Sequence, residues 1–310
     1  MSDEGREGSL ISILDHTQTA MGGRMLKKWV SAPLSKLDPI LKRQECVEEL
    51  FGNKTLRKNL LNELKEIGDL ERLISKICTG KVNPRELLSL KTSLKKIPLL
   101  KQLLDQVKSD TLSKINEKLL GLNDLVEKIE KAIDDNPPLS ISDGGVIREG
   151  YSPELDELRG LSTNAKSWIA NLQKTERERT RISSLKVSYN KVFGYYIEIS
   201  HANREKVPDD YMRKQTLVNS ERYITPELKE YEDKILNAEE NIASLEYQLF
   251  NEVRLNSASY TEQIQENARL IAMLDCYLSF AECADSNNYV RPLLDNSDVI
   301  SIQGGRHPVV

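Results

Sequence analysis

Aromatic residues are scarce in this 310-residue chain, which has two Trp, four Phe and eleven Tyr. Histidine and cysteine are as rare, at three and four. No apolar run approaches the roughly 18 positions a bilayer-spanning helix needs, so no membrane span is expected. The opening stretch, MSDEGREGSL, lacks a signal-peptide core, and secretion is not expected either. Fifteen glycines and eleven prolines are too few for a collagen-like or Gly/Ser-rich disordered chain. Cys46, Cys78, Cys276 and Cys283 form no CxxC pair, so neither a zinc module nor a disulfide framework is signalled. They are expected to be core thiols on apolar helical stripes. His16, His201 and His307 are scattered without metal-ligand spacing, and no GxxxxGK[ST] phosphate cradle occurs. The chain as given is therefore expected to have no catalytic site, no metal and no cofactor of its own.

Charge is abundant. Basic residues number 44 and acidic residues 48, a net −4, which argues against a generic polycation that coats nucleic acid. Length alone favours about two domains. From about residue 9 to 135 the apolar spacing is helical, with Leu10, Ile13 and Leu14 opening one stripe and Leu56, Leu60, Leu61 and Leu64 forming another. Ser35–Pro39 predicts a helix start, Gly52-Asn53 a stop, and Asn83-Pro84 a further start. Breakers at Asp134–Pro138 and Asp143–Gly145 predict a loop. A helix is predicted over 153–182, with Leu155, Leu158, Leu161, Trp168, Ile169 and Leu172 on its stripe.

Between that helix and the next the texture changes. Residues 185–231 hold six of the eleven tyrosines. Leu185–Tyr189 and Tyr195–Ile199 are β-prone runs joined through Gly194, which predicts a hairpin, and Thr216–Asn219 is a candidate third strand. Thr225 and Pro226 then open a helix whose apolar positions are Leu228, Tyr231, Ile235, Ala238, Ile242, Leu245 and Leu249, at gaps alternating between three and four. That heptad seam predicts lengthwise packing against an antiparallel partner, supplied by 153–182. Another helix is predicted over 261–284. The fold class expected is mainly α: a multi-helix core with two long antiparallel lever helices carrying a small inserted β-rich domain. Residues 180–225 contain eight cations and five carboxylates, a local net of +3 in an acidic chain. Arg213, Lys214, Thr216, Asn219, Ser220 and Arg222 form a cluster of the types that suit phosphate oxygens.

Several stretches, in order, resemble the MutS mismatch-repair family: Ser9–Thr17 with Met21–Leu26, Gly68–Arg72, Asp143–Ile147, Glu154–Arg159, Tyr189–Glu198, Arg213–Leu217, Glu221–Leu228 and Gly304–Pro308. The resemblance implies a core and lever domain at about 8–182 and 226–295. A clamp at 183–225 would sit at the lever tip, and 296–310 would begin an ATPase domain. It implies a clamp that grips the backbone of double-stranded DNA without sequence preference, through Lys214 and Asn219 and also Arg213, Lys191, Asn190 and Arg222. Levers would relay nucleotide state to that clamp. A homodimer, MutL-type repair partners and a cytoplasmic location on the nucleoid are implied for the intact protein. ATP or ADP and magnesium are expected only in the full-length relative, and mismatch reading and ATP hydrolysis are not expected of this chain. A second reading of the same residues is a helical interaction scaffold whose β tip docks to protein, since tyrosine favours interfaces.

Overall fold

The computed structural model describes residues 8–190 and 192–309. They are mainly α-helical, with one small antiparallel sheet, and fall into two compact units: residues up to 139 with those from 251 onward, and residues 140–250.

The first unit contains α1 (Leu10–Leu14), α2 (Ala20–Ser31), α3 (Leu37–Gly52), α4 (Lys54–Lys65), α5 (Leu70–Cys78), α6 (Pro84–Leu104), α7 (Asp110–Lys118), α8 (Asn123–Ala132) and α11 (Thr261–Asn287). The predicted start at Asn83-Pro84 is a capping box: the Asn83 side chain accepts from the Glu86 N–H, the Glu86 carboxylate accepts from the Asn83 N–H, and Pro84 opens the helix. Gly52-Asn53 ends α3, and the Asn53 carboxamide oxygen then caps α4. α11 packs against α1, α2, α3, α4, α5 and α7. Leu270, Ile271, Ala272 and the run Leu274–Ser279 are all buried, so the middle of α11 is covered on every side, as the centre of a helical unit must be.

One of those buried residues is Asp275. Its carboxylate accepts from the Gln18 N–H at 2.9 Å, the Thr19 N–H at 2.8 Å and the Thr19 hydroxyl at 2.7 Å, satisfying the donors just ahead of α2. Gly22 lies directly beneath it, and a Cβ there would come within 2.2 Å of Asp275 Oδ2. Burial raises the Asp275 carboxyl above its ordinary range despite these hydrogen bonds. Cys276, Cys283 and Cys46 are buried core thiols as expected, but Cys78 is exposed at the end of α5, where its stripe has run out.

The second unit holds α9 (Pro153–Thr180), strands β1 (Lys186–Asn190), β2 (Gly194–Ser200), β3 (Met212–Thr216) and β4 (Ser220–Ile224), and α10 (Pro226–Ala258) as far as residue 250. Thr225 caps α10 as predicted, its hydroxyl accepting from the Leu228 N–H at 3.1 Å. α9 and α10 run antiparallel: Arg159 pairs with Glu246, Lys166 with Glu239 at 2.6 Å, and Trp168 stacks on Tyr231 with ring centroids 3.6 Å apart. Every seam position of α10 from Leu228 to Leu249 is buried or half-buried. On α9 the matching stripe is Leu155, Leu158, Ser162, Ala165, Ile169 and Leu172, and Leu161, expected there, is 56% exposed. The other expected positions, Leu155, Leu158, Trp168, Ile169 and Leu172, are buried or half-buried; at Leu161 alone the inward place falls to the small neighbour Ser162.

The sheet order is β1-β2-β4-β3, antiparallel throughout, with Val187 opposite Ile197, Ile197 opposite Tyr223, and Arg213 opposite Tyr223. Ile197, Ile199, Tyr211 and Tyr223 share one core with Ile169, Leu172, Leu228 and Ile235 of the two helices. The sheet is thus seated on the helix ends. The predicted strand at Thr216–Asn219 is corrected: β3 ends at Thr216, and Leu217–Asn219 turn the chain into β4. Met212–Thr216 is polar at most positions, an edge strand without the apolar alternation that would betray it.

Candidate functional site

Two turns of the sheet present polar groups, and the register places them at opposite ends of β2. The first joins β1 to β2. Asn190 Oδ1 accepts from the Val192 N–H at 2.8 Å and the Phe193 N–H at 3.3 Å, so this carboxamide oxygen shapes the turn. Lys191 lies outside the described residues. Gly194 has φ +74°, and a Cβ there would stand 1.9 Å from Oε1 of the buried Glu232. Gly194→Ala is therefore expected to destabilise the second unit by about 2 kcal/mol, read as a lower urea midpoint by Trp168 fluorescence.

Lys214 belongs with this first turn. A register shift between Arg213 and Gln215 makes Lys214 a bulge residue, which frees its side chain from the strand alternation. Its ammonium donates to the Phe193 carbonyl and has no carboxylate partner among the described residues.

The second turn joins β3 to β4. The Leu217 N–H donates to the Ser220 carbonyl at 2.8 Å, and the His201 N–H donates to the Asn219 carbonyl at 3.2 Å. The Asn219 side chain is exposed and makes no hydrogen bond to any described residue. Val218 beside it is 92% exposed.

Arg213 and Arg222 separate. Arg213 shares a face with Tyr223 and lies 3.7 Å from Glu221 Oε1, its side chain 55% exposed. Arg222 points to the other face, where it pairs with Glu198 at 3.3 Å, donates to Gln215 Oε1 at 2.9 Å and lies over the Tyr196 ring. Only 18% of that side chain is exposed, so Arg222 is largely a structural cation. The structure thus joins Lys214 to the Asn190 turn, leaves Asn219 at the far turn, sets Arg213 beside Glu221, and turns Arg222 away.

Glu221 and Arg204 enter the sequence reading only among the charges of residues 180–225 and, for Glu221, as the start of a resembling stretch; neither is given a site role there. Glu221 is 3% exposed and accepts from the Tyr223 hydroxyl. That hydrogen bond, with Arg204 and Arg213 nearby, holds its carboxyl below the usual range. Burial and Glu221 push the Tyr223 hydroxyl up to about 12. The signal available was the i, i+2 spacing of Glu221 and Tyr223 on one strand face. A second network fastens the loop before β3 to α9: the Tyr211 hydroxyl donates to Glu176 at 2.6 Å, while Arg179 pairs with Glu176 and Asp210. Among the described residues no three His, Cys, Asp or Glu side chains group as metal ligands, and no helix is long and apolar enough to cross a membrane.

A helical protein with a cation-edged antiparallel sheet inserted between two paired helices is the class these features define. The family model for MutS domain III matches residues 1–281. The DNA mismatch repair protein MutS of Salinibacter ruber is 50% identical over 310 residues, covering all of this chain and 34% of that protein. Its namesake from Caldanaerobacter subterraneus is 49% identical over 308 residues, 99% of this chain and 35% of that protein. The one from Clostridium botulinum strain Langeland is 47% identical over 311 residues, 100% of this chain and 33% of that protein. The chain belongs to the MutS domain III family. It spans about a third of the length of these curated relatives.

Proposed function

We propose that the β1–β4 sheet grips the backbone of duplex DNA without reading sequence, as part of a mismatch-repair protein. The observation behind this reading is the pair Lys214 and Asn219: an exposed ammonium and an exposed carboxamide, on one small sheet, that no carboxylate of the described residues occupies. Phosphate oxygens are the acceptors such donors fit, and contacts of this kind position a protein without specifying a sequence. The acidic remainder of the chain would keep the duplex to the sheet. In the intact protein, α9 and α10 would relay the ATPase state to the grip, two copies would close around the duplex in the cytoplasm, and MutL-type proteins would follow. No nucleotide step is assigned to this chain, which contains no GxxxxGK[ST] sequence and is read as non-enzymatic by itself.

The test is fluorescence anisotropy of a labelled duplex against this chain over stepped potassium chloride. About two to four phosphate contacts predict a log–log salt slope of about −2 to −4. Lys214→Glu is expected to weaken binding about tenfold at low salt, and Asn219→Ala less. Equal curves for wild type and Lys214→Glu would remove that residue from the interface. Docking to another protein is the competing reading, favoured by the exposed Val192 (81%) and Val218 (92%). It predicts a partner held through apolar burial, insensitive to salt, and no affinity for duplex.

A further inference from the structure

We propose that Arg204 and Arg213, gathered by the Glu221 carboxylate, form a phosphodiester-binding pair beside the β3–β4 turn, with Glu221 as their positioning residue. The inference rests on the duplex-backbone reading of the sheet and adds two residues to it, Arg204 and Glu221.

Arg204 lies in a 3₁₀ turn, His201–Lys206, that follows β2, and Arg213 lies on β3. Both guanidiniums stand 3.7 Å from the same oxygen, Glu221 Oε1. They are therefore at most twice that distance from each other. The other Glu221 oxygen is taken by the Tyr223 hydroxyl. One buried negative charge thus faces two guanidiniums that never deprotonate in proteins, leaving a surplus positive charge at the surface.

Their donors are free. At 3.7 Å the pairing is longer than the roughly 2.7–2.9 Å of a charge-assisted hydrogen bond, and neither guanidinium donates a hydrogen bond to any described residue. The arginines elsewhere are spent differently. Arg57 donates to Glu282, Leu50, Phe51 and Asp285, and Arg222 to Glu198 and Gln215. Arg204 and Arg213 are instead 63% and 55% exposed. Two planar forks held at one place, open to solvent, match the oxygens of a phosphodiester.

The surroundings agree. His201 Nε2 lies 2.9 Å from the Leu217 carbonyl and the His201 N–H donates to the Asn219 carbonyl, so the pair adjoins the turn that presents Asn219. Glu221 holds the forks at the sheet surface before any ligand arrives, which lowers the ordering cost of binding.

The test extends the duplex anisotropy series to Arg204→Gln, Arg213→Gln, their combination and Glu221→Gln, with Lys234→Gln on α10 as a charge-matched control. Each arginine variant is expected to weaken low-salt affinity about five- to tenfold and to flatten the salt slope by about 0.9, while the control does neither. The double variant should lose less than the product of the singles, since both act on one ligand group. Glu221→Gln separates positioning from mere repulsion: a positioning carboxylate gives weaker binding on its loss, whereas a repelling one gives tighter binding and overturns its role. Unchanged urea midpoints by Trp168 fluorescence keep folding out of the comparison for the exposed arginines. If Arg204→Gln binds as wild type does while Lys214→Glu is impaired, this inference fails and the duplex reading stands. If wild type binds no duplex at low salt, both fail.

Discussion

Replacing Glu246 with alanine is expected to destabilise the second unit by about 3–5 kcal/mol. The side chain is 1% exposed, so its oxygens depend on protein donors rather than water. It accepts from the Gly145 N–H at 3.2 Å, the Val146 N–H at 3.4 Å and Arg159 of α9. Gly144 and Gly145 have φ +72° and +76°, conformations that let the loop lay its amides on the carboxylate. One carboxylate thus fastens a loop, α9 and α10 together. Alanine would leave the Gly145 amide and the buried Val146 amide without this acceptor and would break the ion pair with Arg159, which keeps the Ile147 carbonyl; an unpaired buried group costs about 1–3 kcal/mol. The two tryptophans allow the effect to be located: Trp29 lies in α2 and Trp168 in α9. In a Trp29→Phe background, the Trp168 urea transition should shift strongly with Glu246→Ala. In a Trp168→Phe background, the Trp29 transition should move much less. Equal shifts at both would mean the two units unfold as one.

The helices were legible because their signals are local. The Asn83-Pro84 start, the Thr225-Pro226 start and the α10 seam each follow from residues a few positions apart. The β1–β2 hairpin was legible for the same reason, through Gly194. What stayed hidden depends on pairing across the chain. Thr216–Asn219 read as strand because Leu217 and Val218 are apolar, yet the register makes them a turn. Arg222 and Arg213 looked equivalent in sequence, and only the strand faces separate a cation bound to Glu198 from one left open. Arg204 and Arg213 converge on Glu221 from three different elements, a relation no spacing rule expresses. Lys214 and Asn219 stand in the phosphate-suited cluster by residue type, and the family resemblance singles them out within it. Their exposure fits the role proposed for them, and the anisotropy series decides it.

Asp275→Ala is expected to cost the first unit about 4 kcal/mol, because it strips the acceptor from two backbone amides and a hydroxyl that are themselves covered. Thr19 is 4% exposed and Asp275 is fully buried, so water cannot take over the role. Gly22→Ala should damage the same site from the other side. Its Cβ would fall under 3 Å from three Asp275 atoms, and overpacking of this kind costs about 1–3 kcal/mol. The pH dependence has a definite sign. Burial, the largest influence on Asp275, raises its carboxyl in the folded state above the unfolded value of about 4. The folded protein therefore holds that proton more tightly than the unfolded chain does. The resulting stability is fully present below about pH 4 and is lost as pH rises through the folded value. An amide at this position keeps an acceptor oxygen and cannot ionise. Relative to Asp275→Asn, wild type should thus lose stability as pH rises from 4, with the Trp29 urea transition as the measure. A wild type that instead gains stability relative to Asp275→Asn as pH rises from 4 would mean the carboxylate's hydrogen bonds, not its burial, govern its ionisation, and a flat difference would mean the two cancel.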